Sequence, residues 1–204
     1  MAFVAASILP FSSCSDFLDR EPITKPEAGN FLTGAIQVEN YINGLYMTLP
    51  SFSKFGLGVR SEEKNSDNIV AEVYDKRLNG ELLETGGGTA EWQNGYQNLR
   101  NVNYFFEYYK VPEAEETKDV LSLKGEAYFF RAYWHFYLLT RFGSIPVMDK
   151  FWDGNATVAG LQIPPRDRSA VAQFIIDDLK TAKNLLYSRS QYKGLRICKE
   201  AAII

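Results

Sequence analysis

At 204 residues and a formal net charge of −3, the chain has room for one large domain or two small ones. Hydrophobic content of 46% against 23% charged residues describes a globular protein and excludes a disordered one. The mild negative charge, with no run of Lys or Arg, excludes a binder of nucleic-acid phosphates, which needs a clustered cationic face.

The unusual share is aromatic: 14% of residues, with twelve Tyr and fourteen Phe. Most of these rings build the core, but an exposed ring is also a platform for the flat apolar face of a ligand such as a sugar. One histidine and two distant cysteines, Cys14 and Cys198, give no disulfide framework. They also leave almost no material for a transition-metal site or a histidine-based triad. No cofactor is expected.

Residues 1–11 are apolar and small, and Ser12-Ser13-Cys14 follows. The pattern resembles the core and cleavage site of a secretory signal, and more particularly of a bacterial lipoprotein signal whose cleavage leaves an acylated Cys14 first. It departs from that pattern in lacking a charged start and in having Phe11 three positions before Cys14, where Leu is commonest. The alternative is a short apolar segment tucked into the core. A lipid there would serve as an anchor, since each buried CH₂ contributes about 0.8 kcal/mol. The predicted organisation is a signal over 1–13, an acidic tether over 14–32 kept out of helix by Pro22 and Pro26, and a helical domain over 33–204.

That domain opens at Thr33 with a helix whose apolar positions Val38, Tyr41, Ile42, Leu45, Tyr46 and Leu49 recur at three- and four-residue steps until Pro50. Residues 51–88 then read as a long irregular excursion ending in Gly86-Gly87-Gly88, with short extended pieces around Val59, Ile69 and Val70. Loops of that length in a compact domain tend to be functional. Arg77, Asn79 and Glu81 carry groups suited to sugar hydroxyls there, beside the plainer reading as solvated loop residues. Thr89 is the expected N-cap, with Glu91 in the first turn, of a helix carrying Trp92, Tyr96, Leu99, Val102, Asn103, Phe106 and Tyr109. It ends before Pro112, and a short acidic linker leads into the next helix, making an antiparallel pair.

This next helix runs from Lys118 to about Arg141, with Gly143 suited to a left-handed residue after its end and Pro146 as a stop. Over 128–139 it is apolar nearly all round, which marks a helix covered on more than one side. A membrane span would need about twenty apolar residues, and Arg131 and His135 interrupt this run. It is therefore the expected central post of the core. Arg131 and His135 lie four apart on one face and should meet partners from a neighbouring helix or loop, with His135 buried and hydrogen-bonded.

A second long loop spans 144–168. Asp167 or Ser169 then caps a helix with apolar positions Val171, Phe174, Ile175, Leu179, Ala182, Leu185 and Leu186. Residues 191–194 read as a turn, and 197–204 as the beginning of another helix, inside which the chain stops. The fold class expected is all-α: helical hairpins separated by long loops, similar to tetratricopeptide units but without a strict repeat period.

Four blocks resemble the SusD/RagB family of surface glycan-binding lipoproteins. They are Cys14-Ser-Asp-Phe-Leu-Asp with Pro22 behind it; the spacing of Trp92, Tyr96, Leu99 and Asn103; Arg131-Ala132 with aromatics, Leu138 and Arg141-Phe-Gly-Ser-Ile-Pro-Val147; and Phe174-Ile-Ile-Asp-Asp-Leu179 with Ala182 and Leu185. The resemblance implies a TPR-like scaffold that displays oligosaccharide-binding loops at the outer-membrane surface and is anchored by lipid on Cys14. It implies delivery to a SusC-type TonB-dependent transporter, without catalysis. It also implies that this chain is the N-terminal part of a larger SusD-like fold. The alternative is a TPR-like scaffold that binds only the transporter and has no sugar site of its own.

Trp92 has two readings, helix packing and a ring face for sugar after the glycine-rich loop. Among carboxylates, Asp177 and Asp178 point roughly 100° apart on a helix and cannot face one another as a glycosidase pair must. Glu62-Glu63 has no second supporting signal. Gly86-Gly87-Gly88 lacks the Lys-Ser/Thr and strand of a phosphate cradle, and Asp153-Gly-Asn155 is too short for an EF-hand loop.

Overall fold

Among the described residues the chain folds as four α-helices: α1 (Ala35–Tyr46), α2 (Ala90–Tyr108), α3 (Lys118–Phe142) and α4 (Arg168–Leu185). The structure is a computed structural model and describes residues 31–50, 79–81, 90–152, 163–191, 194 and 196–203. The expected signal and tether over 1–30, most of the first loop and the middle of the second lie outside those residues.

The 25 residues of α3 make it the longest helix, about 38 Å at 1.5 Å per residue. Thr117 caps it, its hydroxyl accepting from Val120 N–H at 3.4 Å. Gly143 ends it at φ 76°, a backbone conformation that side chains resist, while its N–H returns to Leu139 C=O at 2.9 Å. The other helices pack on this post, α4 most extensively and α1 least. Trp92 at the start of α2 meets Phe142 at the end of α3, and Phe106 near the end of α2 meets Tyr128, so the two run antiparallel as expected. Arg131 with Asp178 and His135 with Phe174 show the same for α3 and α4.

The core follows the predicted stripes. Val38, Ile42 and Leu45 of α1, Leu99 and Val102 of α2, Phe130 and Leu138 of α3 and Val171 and Ile175 of α4 are buried in one cluster. The second loop contributes Ile145 and Val147, and Ile145 forms an isolated antiparallel bridge with Arg166 that closes the loop at its base. On α2 the fully buried ring is Phe105, while Phe106 is half-buried. Gly95 permits close approach: a Cβ there would lie 2.6 Å from Leu138 Cδ2.

Two expectations are corrected. Helix α1 begins at Ala35, after an extended Gly34, and not at Thr33. No helix begins at Ile197: Cys198 is extended and only one 3-10 turn, Lys199–Ala202, forms. The reason is tertiary. Ile197 N–H donates to the Tyr46 hydroxyl at 2.7 Å, and Lys199 N–H to Tyr187 C=O at 2.8 Å, contacts that hold the segment extended against α1 and the turn after α4. Helix α3 is covered on more than one side, as expected, and one stripe of it stays open. Phe136 is 55% exposed, in an apolar groove of about 410 Å³ between α3 and α4 that Tyr133, Leu139, Ile176 and Ala201 also line.

Candidate functional site

The residues singled out from the sequence scatter across the described structure. Cys14 and Arg77 lie outside the described residues, as do Glu62-Glu63, Gly86-Gly87-Gly88 and Asp153-Gly-Asn155. Asn79 sits exposed in a turn with Gly80 at φ 71°, its Nδ2 donating to Glu81 Oε1 at 2.6 Å. Trp92 is half-buried in the first turn of α2. Its ring lies 4.8 Å from Tyr96 and meets Phe142 edge-on at 5.0 Å, while Tyr96 donates to Pro146 C=O at 2.9 Å. These contacts staple the open end of the α2–α3 hairpin to the second loop.

Among the described residues, the buried polar side chains of α3 and α4 are committed to internal partners. Asp178 receives two hydrogen bonds from Arg131, from Nε at 2.8 Å and from Nη2 at 2.7 Å. Burial raises the Asp178 carboxyl pKa, and the guanidinium opposes it. The guanidinium is walled by the rings of Phe106, Tyr128 and Phe174 at 4.5, 5.3 and 5.3 Å. Asp177 points the other way: it is exposed, accepts from Gln173 and lies 3.7 Å from Lys180.

His135, fully buried, donates from Nδ1 to Arg131 C=O at 2.9 Å and accepts Met148 N–H on Nε2 at 3.2 Å. Burial lowers its pKa to about 4, so it is neutral at physiological pH with both nitrogens engaged. The expectation that Arg131 and His135 meet partners from a neighbouring helix or loop holds, with Asp178 and Met148 supplying them.

A second buried pair was not foreseen. Glu126 on α3 receives Arg196 Nε at 2.8 Å and Nη2 at 2.9 Å, and also the Tyr46 hydroxyl at 2.9 Å. Arg196 reaches on to Asn43 Oδ1 at 2.6 Å. Glu126 reads as an ordinary polar position of a helix lead-in, and seventy residues separate it from its partner. No spacing rule could have joined them.

Among the described residues no group of three or more His, Cys, Asp or Glu is placed to hold a metal ion, and no helix is long and apolar enough to cross a membrane. What this arrangement does chemically is hold helices together.

With fold and side chains in view, comparison with known proteins places the chain. Residues 16–203 match the SusD-like family model described as "Starch-binding associating with outer membrane", and the chain belongs to that family. It is similar to SusD-like protein P2 of Formosa agariphila, 24% identical over 188 residues that cover 88% of this chain and 36% of that protein. Among solved structures, a SusD-like protein from Bacteroides fragilis superposes with a TM-score of 0.69 at 25% identity, covering 87% of this chain and 34% of that one. A SusD-like carbohydrate binding protein from the same species superposes with a TM-score of 0.65 at 17% identity, over 84% of this chain and 36% of that one; that likeness shows the fold alone. The chain therefore spans about a third of the length of these relatives.

Proposed function

We propose that the chain binds glycan without turning it over, at the bacterial outer-membrane surface, and hands oligosaccharide to a SusC-type TonB-dependent transporter. The observation that carries this reading is the family match over 16–203, whose description names starch binding and the outer membrane. The described polar chemistry agrees with a binding role, because Asp178, Glu126 and His135 are spent on internal partners. In this reading 1–13 is a signal, Cys14 carries the lipid, 14–32 is the tether and 33–204 the helical scaffold. In the same reading Arg77 and Asn79 of the first loop hydrogen-bond the ligand and Trp92 offers it a ring face.

Native affinity electrophoresis of the purified chain through gels containing soluble starch or laminarin tests the binding. Retarded migration that ionic strength does not abolish is expected, and migration unchanged in both polysaccharides would sink the reading. The anchor is tested separately in a Gram-negative host fed a palmitate analogue. Label should enter the chain and vanish in Cys14→Ala; label persisting in that variant would remove the anchor.

A further inference from the structure

Where α1 crosses α2, the surface carries a groove in two adjoining lobes of about 350 and 300 Å³. Phe31, Tyr41 and Asn101 form the wall common to both. Asn40, Gly44 and Thr48 complete one lobe, and Arg100 and Tyr104 the other. Each lobe has the volume of a small-ligand pocket, which starts at roughly 300 Å³.

The rings in this groove are arranged as a platform. Tyr41 and Tyr104 are stacked, with centroids 5.7 Å apart and planes inclined by 14°. The band continues from Tyr104 to Tyr108 at 4.4 Å and to Phe151 at 5.3 Å, and Arg100 covers the Phe151 ring at 5.0 Å. All four rings are half-exposed, unlike Phe105 beside them, which is fully buried. The Tyr41 hydroxyl donates to Asn101 C=O at 2.7 Å, which fixes its ring before any ligand arrives.

Polar groups border the band. Asn101 Oδ1 accepts from Gln97 at 3.2 Å, while its Nδ2, the Asn40 carboxamide and the Tyr104 hydroxyl make no hydrogen bond to the described residues. Rings that are stacked and held but half-open, edged by spare amide and hydroxyl groups, suit a ligand with flat CH faces and a fringe of hydroxyls. That is the chemistry of a sugar ring. Tyr104 lies twelve residues after Trp92, about 18 Å along α2, so the groove is separate from the hairpin staple.

We propose that this α1–α2 groove is an oligosaccharide subsite. The Tyr41–Tyr104 stack takes the sugar faces, and the carboxamides of Asn40 and Asn101 take hydroxyls. The proposal rests on the glycan-binding reading above and gives it residues.

Two variants test it from opposite directions. A Cβ at Gly44 meets nothing within 4 Å, so Gly44→Leu puts a branched side chain on the wall of one lobe with no clash at its first carbon. Tyr104→Ala strips half the stack. Calorimetric titration with maltoheptaose and with laminarin, alongside thermal melting, should show binding by the unaltered chain. Binding should be weaker by roughly tenfold or more in both variants, the loss of about one ring contact. Gly44→Leu should melt no lower than the parent. Unchanged affinity in both variants overturns the groove and leaves glycan binding standing. Absence of binding by the unaltered chain to either glycan overturns the groove together with the reading it rests on.

Discussion

Helix α3 makes two buried arginine–carboxylate pairs, and they are built in opposite senses. Glu126 and Arg131 are five residues apart, about 140° around the helix, so the pairs face away from each other. On one side Arg131 of α3 grips Asp178 of α4, with side-chain exposures of 12% and 7%. On the other Glu126 of α3, 2% exposed, receives Arg196 from an irregular segment, 17% exposed. The first pair joins two long helices, and three rings wall its cation. The second clasps a segment whose own helix is a single 3-10 turn. Identical bidentate chemistry therefore sets helix packing in one place and tethers an irregular segment in the other.

The sharpest break of that comparison is Asp178→Ala. It leaves the Arg131 guanidinium between Phe106, Tyr128 and Phe174 without its carboxylate, with only the longer hydrogen bond from Nη1 to Asp149 C=O at 3.4 Å remaining. Removing one member of a buried pair costs about 3–5 kcal/mol. Urea unfolding followed by circular dichroism should show that loss in one transition. A cost below about 1 kcal/mol would place the pair among surface pairs.

Acid should attack the same side next. His135 hangs on the Arg131 carbonyl, and its pKa falls from 6.5 to about 4 on folding because burial disfavours the charged ring. A depressed value means that the unfolded chain binds the extra proton. Stability is therefore whole above pH 6.5 and declines as pH falls toward 4, by about 3 kcal/mol at most. Asp178 and Glu126, whose values burial raises, act in the opposite sense. The histidine step is isolated as the difference between the parent and His135→Leu across that range. A difference that stays flat from pH 6.5 to 4 would remove His135 as its source.

Glu126→Ala should cost less, about 2 kcal/mol, though its carboxylate is the more deeply buried. Arg196 has somewhere to go: Glu39 Oε1 lies 3.7 Å away and is 55% exposed. The more telling readout is local. Amide exchange at Ile197 and Lys199 should accelerate while α2 and α3 keep their protection. Uniform acceleration across all four helices would make this pair a second central lock and erase the distinction.

The two sides were unequally legible in sequence. Arg131 and His135 stand four apart in an otherwise apolar run, so polar ends with nowhere to go announced that partners must exist. Which acid answered was hidden, because Asp177 and Asp178 differ only in the turn that α4 presents. The clasp was invisible: Glu126 lies among ordinary helix formers, Arg196 between the turn read at 191–194 and the helix expected from Ile197, and a periodic pattern reports faces within one helix and never a contact seventy residues away. The same limit explains the helix expected at Ile197. Its apolar residues suited a helix, but contacts with the Tyr46 hydroxyl and the Tyr187 carbonyl hold it extended against α1 and the turn after α4. For the candidate site, Tyr41 fell on the predicted stripe of α1, whereas Tyr104 belonged to no stripe and became notable only once α1 had brought Tyr41 against it.

The smallest expected effect comes from a third pair on α3, which supplies the scale for the other two. Lys124 Nζ lies 3.0 Å from Glu116 Oε1, with side-chain exposures of 27% and 19%, and rests 4.6 Å from the Tyr109 ring centre. Hydrogen bonds from Tyr109 and Lys124 hold the Glu116 carboxyl below its ordinary value, so the attraction is real. Water reaches both partners, however, and screens what they gain. Lys124→Met keeps the stem on the ring and removes only the charge, so it should cost under about 1 kcal/mol and less in high salt. If it matched Asp178→Ala, burial would not be what separates these pairs, and the contrast between the two sides of α3 would have to be rebuilt on geometry alone.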